Sequence, residues 1–244
     1  MDSTPTIAPA PKSVDAGRGV SWWGDAWRIF MKNPVMWFVL GLINIVIFMV
    51  LAFIPLLGGI AVALLAPVLI AGWMQAARKV DAGGALEVGD LFGAFQSASL
   101  MPLVILGALL LGASIVVGVV AAMLGGGAMM GLILGGGHTS SAGMAAALGM
   151  GMVAMLLFFV LGFVLAMAFW FAPGLIVFRN TPPVDALKAS FSASLKNIGP
   201  FLLYGILYLV IAFIASIPFG LGWFVLVPVL MLTIYVSYKD VFEL

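Results

Sequence analysis

The chain has 244 residues, of which 64% are hydrophobic and 8% charged, with ten Lys+Arg, nine Asp+Glu and a formal net charge of +1. Soluble domains carry roughly 45–50% apolar and about 25% charged residues, so this composition excludes a water-soluble fold. The charge balance gives no global attraction for nucleic acid, and without cysteine the chain has no disulfide framework, thiolate metal site or cysteine nucleophile.

Residues 1–19, rich in Pro, Ala and Ser and without apolar periodicity, read as a disordered cytoplasmic tail. No signal peptide is expected, because the first long apolar run begins near Val35 and no small-residue cleavage site follows it. Next comes an amphipathic stretch with Val20, Trp23, Trp27, Phe30 and Met31 on one face and Asp25, Arg28 and Lys32 on the other. Spans at about 35–54 and 57–77 form a tight hairpin around Pro55 and Gly59. A second amphipathic stretch places Val88, Leu91, Phe92 and Phe95 behind Glu87 and Asp90, ahead of a span at 100–124. The glycine-rich segment 125–147 reads as an apolar, partly re-entrant loop rather than a helix, although Gly127, Gly131 and Gly135 would make a smooth helix face. After a span at 147–172, Thr181, Pro182 and Pro183 start a third amphipathic stretch, with Val184, Leu187, Phe191 and Leu195 opposite Lys188 and Lys196. Spans at 200–216 and 219–238 close the chain. Each span has the ~17–25 residues needed to cross ~30 Å of hydrocarbon, and the amphipathic stretches suit the interface plane.

The predicted fold is an all-α membrane protein with six transmembrane helices and three cytoplasmic interfacial amphipathic helices, forming one membrane domain over 20–244. Prolines suggest a three-fold internal repeat, with units at about 20–78, 87–178 and 182–240. Pro34, Pro102 and Pro200 precede the odd spans, and Pro67, Pro173 and Pro228 lie in or at the ends of the even ones. Lys32-Asn33 and Lys196-Asn197 recur at matching distances before Gly41 and Gly205. An even span count puts both termini on one side, together with Lys12, Arg18, Arg28, Lys32, Arg78, Lys79, Arg179, Lys188, Lys196 and Lys239. Cations accumulate on the cytoplasmic side, so both termini are expected there. Trp37, Trp73, Trp170, Tyr235 and Tyr238 are expected to anchor span ends at the interface.

The run Trp22-Trp23-Gly24-Asp25-Ala26-Trp27-Arg28-Ile29-Phe30 with Lys32-Asn33-Pro34, the segment 171–178, the stretch from Ala186 to Asn197 and the closing Ser237-Tyr238-Lys239-Asp240-Val241-Phe242 resemble a family of proteobacterial six-span membrane proteins. The wider group is similar in layout to YciC-type proteins and to the membrane domain attached to some glycerophosphodiester phosphodiesterases. The resemblance implies a bacterial inner-membrane location. It does not carry over phosphodiesterase activity, since the catalytic domain of those relatives is separate.

The assigned spans contain no ionisable group, the usual mark of proton-coupled transport or intramembrane catalysis, and no catalytic motif stands out. A non-enzymatic protein with no cofactor is therefore expected. Its partners would be membrane lipids, with a membrane-protein partner or a homo-oligomer the other possibility. Arg28, Lys32, Arg78, Lys79, Arg179, Lys188 and Lys196 are the candidate lipid- or partner-binding positions, each able to gain about 1 kcal/mol from anionic lipid. Pro67, Pro173 and Pro228 are candidate hinges or static kinks, and Asn44 is the deepest strongly polar side chain. His138 with Met150, Met152 and Met155 is an alternative copper site, set against methionine as apolar filler. An accessory or scaffold subunit or a lipid-interacting module leads. A channel or facilitator for a small neutral or lipidic solute is the alternative if Asn44, Ser114, Thr233 and Ser237 share a cavity.

Overall fold

The computed structural model describes residues 10–55, 57–134 and 140–243. Among the described residues there is no strand; α1 (Arg18–Lys32), α2 (Pro34–Ala52) and α3 (Leu57–Asp81) are followed by a 3-10 helix at Val88–Gln96. Then come α4 (Leu100–Leu134), α5 (Ser141–Trp170), α6 (Ala172–Arg179), α7 (Pro183–Lys196), α8 (Ile198–Ser216) and α9 (Trp223–Phe242). Six helical stretches are long and apolar enough to cross a membrane: Pro34–Ala52, Leu57–Asp81, Leu100–Gly125, Gly143–Arg179, Ile198–Ser216 and Trp223–Phe242.

The chain forms two compact units, one comprising residues up to Ala108 with those from Ala168 onward, the other Leu109–Met167. The second consists of the outer part of α4 and most of α5, and its apolar side chains are largely exposed, among them Ile115, Met123, Leu148 and Phe159. The segment expected to be a re-entrant loop is helical through Leu134 and again from Ser141. From Gly125 to Leu134 the chain is Gly, Ala, Met, Leu and Ile with no polar side chain to compete for its amides, and it satisfies its backbone within a helix, as hydrocarbon surroundings require. Residues 135–139, with His138 and Gly135, lie outside the described residues.

In the first unit, local chemistry sets the corners. Lys32 closes the last turn of α1, where a cation meets the negative helix end. The Asn33 side chain then accepts from the Met36 amide at 3.4 Å and Pro34 takes the first turn of α2. The end of α6 is set by Asn180 in the left-handed region (φ 52°), with the Thr181 amide donating to the Leu175 carbonyl and the Asn180 amide to Ile176, a Schellman stop. α3 and α9 are the inner helices, with 44% and 56% of their spanning windows buried against 22% for α2 and 17% for α8. Trp22, Trp37, Trp73, Phe171 and Tyr238 are fully buried.

Five further expectations change. Residues 10–17 are not a loose tail: the Val14 amide donates to Asn197 Oδ1 (2.8 Å), Asn197 Nδ2 donates to the Lys12 carbonyl (2.8 Å), and the Lys12 amide donates to Val241 (2.9 Å). A side-chain amide 183 residues away supplies the hydrogen bonds that composition alone could not foresee. Second, α1 is rotated from its expected stripe. It buries Trp22, Trp23, Ala26, Ile29 and Phe30 and leaves Val20, Trp27 and Met31 about half exposed. A helix apolar on both flanks of its packed face has a hydrophobic direction that does not single out that face. Likewise α7 turns its small residues Ala186, Ser190 and Ala193 inward and Val184 and Leu195 outward, because close backbone approach favours small side chains.

The second amphipathic stretch is a 3-10 helix lying flush on α3. Leu91 and Ala94 are buried at a spacing of three, as its tighter winding demands, while Val88 is exposed. A Cβ at Gly72 of α3 would overlap the Leu91 carbonyl. Finally, Trp37, Trp73, Tyr235 and Tyr238 are core residues rather than interfacial anchors. Trp37 stacks on Trp73 at 5.6 Å and donates to the Ile29 carbonyl at 3.2 Å.

Candidate functional site

The C-terminal turns of α9 gather much of the charged part of the sequence. The last turns of α9 carry Tyr235 and Lys239 one turn apart, both bonded to Asp81, and Asp240 on the flank facing α1, and α1 lays Arg18, Trp22, Asp25, Ile29 and Lys32 against them. Asp240 accepts from Arg18 Nε at 2.7 Å and from Trp22 Nε1 at 2.9 Å. The hydrogen bond to Asp240 is the main cause that holds the Arg18 guanidinium above its ordinary pKa. Asp25 bridges Arg18 (3.2 Å) and Arg28. Asp81 at the end of α3 accepts from Lys239 at 2.6 Å and from the Tyr235 hydroxyl at 3.0 Å. Lys12 pairs with Glu243.

These groups line a half-open cavity of about 790 Å³, bounded by five cations (Lys12, Arg18, Arg28, Lys32, Lys239) and four anions (Asp25, Asp81, Asp240, Glu243). Every one of these carboxylates already has a cationic partner. With side chains partly in water, each pair contributes at most about 1 kcal/mol. The network's chief role is geometric, fixing α1 across the ends of α9 and α3.

The seven sequence-derived cationic candidates do not form one line. Arg28 and Lys32 meet in this cavity, Lys32 donating to the Val80 and Asp81 carbonyls at 3.1 and 3.2 Å. Arg78 lies 5.2 Å from the Phe178 ring and shares with Lys79 a smaller hollow of about 350 Å³. Lys79 is held by Asp90 at 2.9 Å. Arg179 donates to the Phe242 and Glu243 carbonyls at 3.1 and 2.9 Å, closing the end of α9. Lys196 donates to the Pro11 carbonyl at 2.7 Å, and Lys188 sits 3.9 Å from Asp185 on the outside of α7. Among the described residues, Lys32, Arg78, Arg179 and Lys196 have no carboxylate partner.

Pro67 and Pro228 lie inside α3 and α9, and Pro173 begins α6 after a break at Phe171; all three are buried. The Phe171 amide donates to Ser190 Oγ at 2.9 Å, and Pro228 packs against Gly41 of α2. Asn44 is buried on the same face of α2 as Trp37, Leu40 and Gly41. Thr233 bonds the Tyr204 hydroxyl at 2.9 Å and Ser237 accepts from Trp170 Nε1 at 3.0 Å, while Ser114 is exposed in the other unit. Of the polar groups weighed for a solute path, Thr233 and Ser237 are therefore bonded to neighbouring side chains and Ser114 faces outward.

Met150, Met152 and Met155 are exposed on α5. At 3.6 residues per turn Met152 and Met155 share a side that Met150 does not. Among the described residues no three His, Cys, Asp or Glu side chains are placed to hold a metal. Sequence reasoning missed Arg18, Trp22, Asp81, Asn197 and Asp240. Their partners lie far away in the chain, and only the clustering of charge near both ends hinted at them.

Fold and site together define a six-span, all-helical membrane protein with a short helix locked across the charged ends of its inner helices. A protein of Burkholderia thailandensis described as a probable inner membrane protein is 30% identical over 214 residues, covering 86% of this chain and 78% of that one. The chain belongs to that family of inner-membrane proteins. No family model matches the chain, and no solved structure matches it.

Proposed function

We propose that the protein is a non-enzymatic inner-membrane module that acts by binding lipid at its cytoplasmic face, with both termini in the cytoplasm. The observation that carries this reading is α1, a helix fixed across the ends of α9 and α3 that exposes Val20, Trp27 and Met31 beside Arg28. Aromatic and aliphatic groups next to a cation suit the boundary between acyl chains and anionic headgroups. The confinement of all ten cationic residues to one side of the six spans supports the orientation. The order of short helices, α1 before α2, the 3-10 helix before α4 and α7 before α8, is compatible with three copies of one unit and with kinship to YciC-type proteins and the phosphodiesterase-linked membrane domain.

A second reading, an accessory subunit of a larger complex, draws on the unit Leu109–Met167, whose apolar side chains are so widely exposed. Native mass spectrometry of protein taken from its own membranes in mild detergent separates the two. Retained anionic phospholipid that is depleted by Arg28→Gln supports the lipid reading. A stoichiometric protein partner with no retained lipid replaces it with the subunit reading.

A further inference from the structure

An apolar groove of about 510 Å³ runs between α8 and α9 beneath α1. Ile211 and Ile214 form one wall, Val225 and Val229 the other, and Trp23 and Trp27 of α1 cover its end. The Trp23 ring is fixed by stacking on Tyr204 at 5.0 Å, and that of Trp27 by stacking on Phe30 at 5.3 Å. From Gly222 to Val229 the groove follows α9 for about 10 Å. Its volume falls within the roughly 300–1,000 Å³ of ligand sites.

We infer that this groove holds an acyl chain of an anionic phospholipid, whose headgroup lies beside Arg28. The inference rests on the lipid reading above and gives it a site. Three observations select this occupant. Both walls belong to helices long and apolar enough to span the membrane, so hydrocarbon is the medium the groove opens into. Arg28 follows Trp27 directly; one guanidinium nitrogen pairs with Asp25, and the side chain, 78% exposed, leaves its other N–H groups open to a headgroup at the covered end. The third is Gly24, which lines the groove between the two tryptophans. Glycine in a helix interior is less favourable than alanine. Among the described residues no contact requires it there, since a Cβ at Gly24 would meet no atom within 4 Å. An unfilled position at the mouth is what a chain passing between Trp23 and Trp27 needs.

The test uses the full chain in vesicles of phosphatidylethanolamine and phosphatidylglycerol, with a trace of phosphatidylglycerol carrying a photoreactive diazirine at one acyl terminus. After irradiation, adducts are mapped by peptide mass spectrometry. In the wild type, adducts are expected to concentrate on Ile211, Ile214, Val225 and Val229, above the outward-facing Leu209 and Phe213, which are 67% and 73% exposed. Gly24→Phe is expected to lower groove labelling to the level of Leu209 without lowering the unfolding temperature. Val225→Trp, which fills the groove from the α9 wall, is expected to do the same and serves if Gly24→Phe misfolds. Labelling spread evenly over α8 and α9, or unchanged in folded filled variants, overturns the inference. If the wild type nevertheless retains anionic lipid in native mass spectrometry, only the groove is wrong. If it retains none, the lipid reading falls with it.

Discussion

The link between the N-terminal segment and Asn197 offers a quantitative test, because it holds residues 10–17 through very few contacts. Asn197 is fully buried and makes three side-chain hydrogen bonds, two of which reach the segment: Val14 amide to Oδ1 and Nδ2 to the Lys12 carbonyl, both 2.8 Å. The third, to Ala193 at 2.9 Å, stays within the neighbouring helix. A net 0.5–1.5 kcal/mol per bond puts the loss on Asn197→Ala at about 1–3 kcal/mol for the two that matter. At about 2 kcal/mol the local opening equilibrium shifts roughly 30-fold, since 1.36 kcal/mol is tenfold. Hydrogen exchange in detergent micelles should show the Val14 amide exchanging about 30-fold faster by that conversion, with amides of α9 around Leu232 unchanged. Asn197→Asp keeps an acceptor for Val14 but sets a buried carboxylate oxygen against the Lys12 and Ala193 carbonyls, so it should open the segment at least as far as alanine. If Val14 exchanges in the wild type as fast as in an unstructured peptide, or is unaffected by Asn197→Ala, the proposed clasp does not exist.

Other expectations concern packing and orientation. Gly72→Ala pushes a methyl group into the Leu91 carbonyl and should lower stability by about 1–3 kcal/mol as an overpacked contact; a thermal melt equal to wild type would refute the flush docking of the 3-10 helix. Gly24→Ala has open space and should leave the melt unchanged or raise stability by about 0.5–1 kcal/mol; a loss would mean α1 is packed differently. Tyr204→Phe leaves Thr233 without its 2.9 Å partner and should cost about 1 kcal/mol, read by the same melt. Because the chain has no cysteine, Lys188→Cys and Ser140→Cys can each be the sole thiol. In intact cells an impermeant maleimide should label the second and not the first, and the reverse pattern would invert the proposed topology.

The six spans were legible because hydropathy over twenty residues is a local property, and the corner at Lys32, Asn33 and Pro34 was legible because capping is local too. What escaped was set by distant partners. Trp22 faces inward because Asp240, 218 residues later, accepts from its indole. Tyr235 leaves the interface for Asp81 across 154 residues. α7 shows the opposite failure: its large side chains advertised a packing face, while close approach selected Ala186, Ser190 and Ala193. The cationic candidates were found by type, but whether each meets a carboxylate, a helix-end carbonyl or a ring depends on geometry that spacing does not encode.

The contacts of α1 also bear on the order in which the molecule can be completed. Its buried face is received by α8 and α9 through Trp22–Phe201, Trp23–Tyr204 and Trp22–Asp240, so α1 must wait for partners translated up to 218 residues later. At about 5–20 residues per second, translation leaves that face uncovered for roughly 10–45 s. During this interval, the spans up to Arg179 enter the bilayer without it. Closure of α1 therefore waits for α9, and a nascent chain stalled before Asp240 would expose an unsealed tryptophan-rich surface by which incomplete copies could be recognised.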